Sequence, residues 1–318
     1  MFFGPELIQK QLKGEQLSLN FIKRTLKEHK LSKPHRKKEK GRSKYMLYPT
    51  GFLLAVGEIL MQLDFIGPRY IEGSSIPIHF LSLRYIRPFK AQLFFRITSQ
   101  RTSEVMRILS IVFFKRKLPL PDVVQQDNDS SFRGNINQKG VIGRYIKWWL
   151  HNGVIPVFNA PKSPWNTGAI EGGNSVFDRK FWTQFHFTSL EEIDEKLEEF
   201  NAAYEKYLTT DAPFPKRKRP TIKPSTVKTL KDLVDIKQPH LFLLRVVRKN
   251  RYGKFTIEVL NHYITLPPEL KGQYVIVQLN VEDQWVVIWQ EQGDHTALIR
   301  PRQKFIISAA NYGRKKKM

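Results

Sequence analysis

Three acidic residues stand where a carboxylate needs a reason to be. Asp64 lies inside the apolar run LMQLDFI. A carboxylate buried in such a strand is costly unless it is paired or metal-bound. By strand alternation it shares a face with Gln62 and Ile66. Asp127 ends the run VVQQD, where the chain turns into a polar loop, and strand ends hold reactive groups rigidly while leaving them reachable. Glu171 opens a helix after the loop NAPKSPWNTGA, and a helix start favours negative charge. Carboxylate oxygens are hard ligands suited to magnesium. Two such ions, held about 4 Å apart by Asp64, Asp127 and Glu171, would activate an attacking oxygen and stabilise the leaving one in a phosphodiester displacement. Manganese is expected to substitute, and no Lys or His base is then needed. Taken singly, each acid has a plainer account: an ion-paired strand residue, a turn former and a helix-start residue. Their joint occurrence in this order is the argument.

The composition says what such a site would act on. Lys and Arg number 53 against 29 Asp and Glu, a formal charge of +24. So large an excess implies a polyanionic partner, because Lys and Arg displace counterions from phosphates; a ribosomal or membrane-surface role is the alternative. There is no cysteine, which excludes disulfides, thiolate zinc sites and a Cys nucleophile. The start, MFFGPELIQKQLKGEQ, is soon charged and does not read as a signal peptide. The apolar run from Phe52 to Ile66 contains Glu58, Gln62 and Asp64 and falls short of the roughly 20 apolar residues a membrane span needs. A soluble, cytoplasmic protein without a membrane partner is expected.

The elements that must position the acids follow from periodicity. Residues 1–31 read as two short helices, the second capped by Ser18, with Phe21, Ile22, Leu26 and Leu31 recurring at helical spacing. Its polar face carries Asn20, Lys23, Arg24 and Lys27, so the pair is either a helix-turn-helix reading DNA or an ordinary helical hairpin with a solvated basic face. Residues 32–50 are a basic linker. Residues 51–210 alternate strands and helices: three apolar strands from Glu58, a helix from Ser103, a strand ending at Asp127, a helix with Tyr145 and Trp148, the strand VIPVF, and helices over Ile170–Phe181 and Ser189–Tyr207. That order is mixed α/β. Residues 211–235 form a basic, Pro-rich linker. Short strands in 236–300 predict a small all-β barrel or sandwich, and 301–318 a basic tail.

The strings GEILMQLDF, VVQQDNDSSF and SPWNTGAIEGGNSVF resemble the three motifs of the DDE transposases of bacterial insertion sequences and of retroviral-type integrases. The resemblance covers nearly the whole chain. It implies an RNase-H-like core with a five-stranded mixed sheet and flanking helices, an N-terminal helix-turn-helix and a C-terminal small all-β barrel. It also implies two divalent ions on Asp64, Asp127 and Glu171, nicking of 3′ ends by water, and attack of the resulting 3′-hydroxyl on target DNA.

The partner would be double-stranded DNA, as element ends and target, bound by a homo-oligomer. Asn128, Trp165 and Asn166 flank the acids and are candidates for the DNA end; Trp165 could stack on an unpaired base or simply pack the loop. Lys216, Arg217, Lys218 and Arg219 would meet phosphates without sequence preference. Arg245, Arg248, Lys249 and Arg251 suggest a basic face on the terminal barrel, or merely solvated strand residues. A DNA-binding regulator without turnover and a metal-dependent nuclease without a joining step are the competing readings.

Overall fold

The computed structural model describes residues 5, 8–9, 12, 15, 17–29, 31, 50–116, 118–134, 138–161, 163–208, 239–292 and 295–309. The chain divides into two compact units, Met1–Tyr45 and Met46–Met318.

In the first unit, helix α1 spans Leu19–Glu28, and the Ser18 hydroxyl accepts from the Phe21 N–H at 3.2 Å, the cap its position predicts. Ile22 is buried, with Leu19 and Leu26 half-buried beside it. Phe21 and Leu31, expected inward, are exposed. Phe21 is rotated about 100° from Ile22 on the helix, off the stripe, and Leu31 lies beyond its last turn. Of the expected first helix, the Leu12 N–H donates to the Ile8 carbonyl at 3.0 Å; Leu7 lies outside the described residues.

The second unit is mixed α/β, built on a nine-stranded sheet. Its first strands are β1 (Leu60–Arg69), β2 (Ile78–Arg87), β3 (Ala91–Ile97), β4 (Val123–Gln126) and β6 (Ile155–Phe158). They lie in the order β3-β2-β1-β4-β6, antiparallel from β3 to β1 and parallel from β1 to β6. A two-residue strand β5, Val141–Ile142, lies outside this sheet. The period-two side-chain pattern gives the sheet two different faces. Met61, Leu63, Leu81, Leu83 and Leu93 face helices α3 (Thr102–Ser110) and α5 (Arg144–His151), joining Val105, Leu109 and Trp149 in the main core. The alternate residues Gln62, Ser82 and Gln92 are buried on the other face, beside Phe80 and Phe94. There α6 (Gly168–Phe177) and α7 (Leu190–Leu208) pack, with Phe80 and Phe94 against Phe177 and Phe94 against Phe200. The helix α2 (Thr50–Val56), at the boundary expected between linker and core, takes the Glu291 carboxylate on its Gly51 and Phe52 N–H groups, at 3.1 and 2.6 Å.

The strands expected in 236–300 are present, but they do not stand apart as a barrel. Strand β7 (His240–Val246) pairs in parallel with β6, and β11 (Tyr274–Asn280), β12 (Trp285–Gln292) and β13 (His295–Lys304) continue the sheet beyond it. The physical reason is the open edge that β6 would otherwise leave; the run Leu241–Leu244, buried on both faces, covers it. Strands β8 (Arg248–Lys249), β9 (Phe255–Val259) and β10 (His262–Thr265) form a separate three-stranded sheet. A last short strand, β14 (Ser308–Ala309), pairs in parallel with β5. Among the described residues, no helix is long and apolar enough to cross a membrane.

Helix α6 approaches the sheet at Gly173, where a Cβ would fall on the side-chain amide of buried Gln92. Gln92 cannot easily yield, because its amide donates to the Ser82 hydroxyl at 2.8 Å and its carbonyl accepts from Arg84 at 2.6 Å. Gly172, one residue earlier, faces open space. Gly173→Ala is therefore expected to cost about 1–3 kcal/mol through overpacking, whereas Gly172→Ala should be neutral or stabilising by up to about 1 kcal/mol. Thermal unfolding of the two variants side by side measures the contrast, and equal midpoints would show that α6 does not sit this close.

Candidate functional site

The register of two strands places the first two acids. Strands β1 and β4 run in parallel with Gln62 opposite Gln125, and the Gln62 side-chain amide donates to the Gln125 side-chain carbonyl at 2.7 Å. Asp64 and Asp127 each lie two residues beyond that pair, so both emerge at the same end of the sheet on the same face. Asp127 falls just past the last residue of β4, where the loop begins. The third acid comes from α6, where Glu171 is in the first turn.

A chain of buried amides docks that helix. The Ile170 N–H donates to the Gln62 side-chain carbonyl at 3.2 Å. Gln125 donates onward to the Asn159 side chain at 2.8 Å and the Asn166 carbonyl at 3.1 Å. Gln92 donates weakly to the Asn174 side-chain oxygen at 3.3 Å, and Asn174 donates to Asp64 Oδ2 at 2.9 Å. Asn174 is one helical turn after Glu171, so the same face of α6 presents both to Asp64. The other acids are also held: the Asp129 N–H donates to Asp127 Oδ1 at 2.9 Å, and the Thr167 hydroxyl to Glu171 at 3.3 Å. Asp129, an extra acid beside the site, caps the short helix α4 (Ser130–Arg133) by accepting from the Ser131 N–H at 2.7 Å.

Electrostatics ties the three together. Asp64 is raised to about 7, first by burial, then by the negative charge of Asp127, and further by Glu171; hydrogen bonds from the Phe65 N–H and Asn174 pull the other way. Asp127 is also raised, by loss of surrounding water first and by Asp129, against the Asp129 N–H bond. The donor set is therefore a patch of mutually repelling carboxylates, the chemistry that a divalent cation relieves. The side chains are not closed on one another: among the described residues, no group of three or more His, Asp or Glu is gathered tightly enough to hold a metal ion. Beside Asp127 opens a cleft of ≈ 410 Å³ walled by Asn159, Pro161, Ser163 and Thr167.

The other expected contacts scatter. Asn20, Lys23, Arg24 and Lys27 are exposed on α1 in the first unit, Arg24 within 3.6 Å of Glu28. Asn128 lines the cleft but spends its amide on the Asn159 carbonyl at 2.6 Å. Asn166 is only 4% exposed and accepts from the Tyr274 hydroxyl at 3.3 Å. It is placed to brace the loop against β11 and cannot meet DNA from inside the protein. The Trp165 side chain and residues Lys216, Arg217, Lys218 and Arg219 lie outside the described residues.

Arg245, read as part of an exposed basic face, is instead 2% exposed. It donates to the Glu258 carbonyl at 2.7 Å and to the Asn159 carbonyl at 3.2 Å, the oxygen that also receives Asn128. Its carboxylate partner Glu258, at 3.6 Å, is ion-paired to Arg133 as well. Burial draws Arg245 down to about 10, still cationic at neutral pH, and Glu258 opposes that shift. Burial alone would raise Glu258, but Arg245 and Arg133 more than offset it and leave it lowered. In HLFLLRV both faces of the strand are apolar and buried, so alternation does not tell a solvated Arg245 from a buried one. Asn174 and Asn159 were missed because a lone Asn announces nothing until its partners are known.

No protein-family model matches the chain, and no curated protein matches it either.

A pH dependence follows from Asp64. Its carboxyl binds a proton more tightly in the folded chain than in the unfolded one, so metal-free stability should fall as pH rises from about 4 through about 7. Asp64→Asn removes the penalty. In a chelator at pH 8 it should melt a few degrees above the parent, with the gap shrinking towards pH 5. Calorimetry across that range checks this, and a gap constant with pH would mean that Asp64 is not raised.

Proposed function

We propose that this chain is a DDE-type transposase or integrase, nicking DNA at element ends and joining the freed 3′-hydroxyl to target DNA. The observation that carries the reading is the convergence on Asp64: Asp127, at the end of the neighbouring parallel strand, and Glu171, at a helix start, both remote in sequence, each act on the carboxyl of the strand residue. The five consecutive strands β3-β2-β1-β4-β6, mixed in direction and flanked by helices, support an RNase-H-like core. The basic exposed side of α1 and its cap support a DNA-reading helix in a helix-turn-helix, and the net charge of +24 supports a nucleic-acid partner. A chain acting on DNA in this way would work in the cytoplasm, at the nucleoid. Holding two element ends would call for at least two copies.

Magnesium, or manganese in its place, would be held as two ions by Asp64, Asp127 and Glu171; when bound, it supplies charge neutralisation at the phosphate and an activated water or hydroxyl. The chain's own residues prepare the acids. Asn174 turns Asp64, the Asp129 N–H fixes Asp127, and Thr167 holds Glu171. A DNA-binding relative without turnover is the second reading, favoured by the open spacing of the acids.

Asp64→Asn, Asp127→Asn and Glu171→Gln should each reduce magnesium-dependent nicking of a supercoiled plasmid by about a hundredfold or more, while leaving DNA affinity in a chelator unchanged or slightly higher. Nicking by Asp64→Asn at the parental rate would remove the acids from the chemistry. An inactive parent that still binds DNA would favour the second reading.

A further inference from the structure

The cleft beside Asp127 shares a wall residue with a second hollow. Pro161 lines it and also lines a second, open furrow of ≈ 260 Å³ bounded by Arg248, Lys249, Asn250 and Tyr263. The furrow is smaller than the roughly 300–1,000 Å³ pockets that enclose drug-sized ligands, and it opens along the surface. The small sheet β8–β9–β10 builds one wall. Arg248 stands opposite Thr256 across one pairing, and Tyr263 opposite Glu258 across the other. Alternation puts Thr256 and Glu258 on one face of β9, so Arg248 and Tyr263 share that face. The floor is already neutralised, because Glu258 is ion-paired with Arg133 and Arg245.

The remaining groups face solvent. Among the described residues neither Arg248 nor Lys249 has an ion-pair partner, and both are exposed. Arg248 donates to the Pro161 carbonyl at 3.2 Å, which sets it at the junction of the two hollows. Tyr263 is 73% exposed. A large ring left so far in water, beside two cations that have no ion-pair partner among the described residues, fits a ligand with both flat apolar faces and phosphates. A base pair in duplex DNA hides its faces in the stack, whereas an unpaired base offers them.

We propose that this furrow is the track of an unpaired nucleic-acid strand leaving the carboxylate cleft, with Arg248 and Lys249 on its phosphates and the Tyr263 ring against a base. The inference rests on the reading of the cleft as a phosphodiester site, and it adds that the substrate there is a frayed or single-stranded flank.

The test uses the full chain in a chelator, so that binding is read without turnover. Fluorescence anisotropy would compare a fully paired oligonucleotide duplex with the same duplex carrying an unpaired flank. Tyr263→Ala is expected to weaken binding of the flanked duplex about tenfold, the loss of one base–aromatic stack, while the paired duplex is unaffected. Tyr263→Phe should restore the affinity, since stacking needs the ring and not the hydroxyl. The double variant Arg248→Ala, Lys249→Ala should weaken the flanked duplex more than the paired one and reduce its salt dependence. Equal losses on both substrates would mean that the face is an ordinary duplex contact, and an unaffected Tyr263→Ala would mean that the ring carries no base; either overturns the proposal. Plasmid nicking by the parent with magnesium separates the two readings. Nicking with an indifferent Tyr263 sinks only the furrow, whereas Tyr263-dependent flank binding without nicking sinks only the reading of the acids.

Discussion

A single amide pair, Gln62 donating to Gln125 across two parallel strands, is the interaction on which the candidate site depends. Parallel strands with apolar runs can slip, and a one-residue slip would turn every side chain to the opposite face. Two buried glutamines facing each other resist that, because any other register would leave amides without partners in a dry interior. With the register held, Asp64 and Asp127 emerge side by side, and the side-chain carbonyl oxygen of Gln62, which the pair does not use, receives the N–H of Ile170 at the start of α6. Two hydrogen bonds from one side chain, Gln62, thus tie together all three elements that carry the acids.

The arrangement concentrates negative charge where water is scarce. The groups that draw Asp64 and Asp127 back down are neutral donors, the Asn174 amide and the backbone N–H groups of Phe65 and Asp129. Neutral donors orient a carboxylate but do not cancel its charge, so Asp64 holds its proton up to about neutral pH. The stability cost that such a patch imposes is the kind tolerated at functional sites.

The C-terminal strands take part in this economy of charge. Arg245 on β7 and Glu258 on β9 reach Asn159 and Arg133, on either side of the Asp127 loop. A segment that reads in sequence as an independent module is bonded into the sheet and into the wall of the cleft. Breaking a buried pair by removing one partner is costly, so substitutions at Arg245 or Glu258 will be felt at Asp127 through Asn159 and α4.

By itself the sequence determined the local elements. Alternation in LMQLDFI and FFRITS, the Ser18 cap and the helical spacing of Ile193, Leu197, Phe200 and Tyr204 depend on neighbours a few residues apart, and such signals survive in a linear string. Asp64 and Asp127 stand out in the string too, because a carboxylate in an apolar strand or at a strand end is anomalous without any partner in view. Tertiary structure alone decided what those elements join. Whether β7 caps an open edge or closes a barrel depends on an edge more than eighty residues away, and whether Arg245 is solvated or buried depends on what lies over its strand. Asn166 and Asn174 are alike in the string; one is sealed against Tyr274 and the other bonded to Asp64, since an amide's role is set by the partners that long-range packing brings within hydrogen-bonding distance.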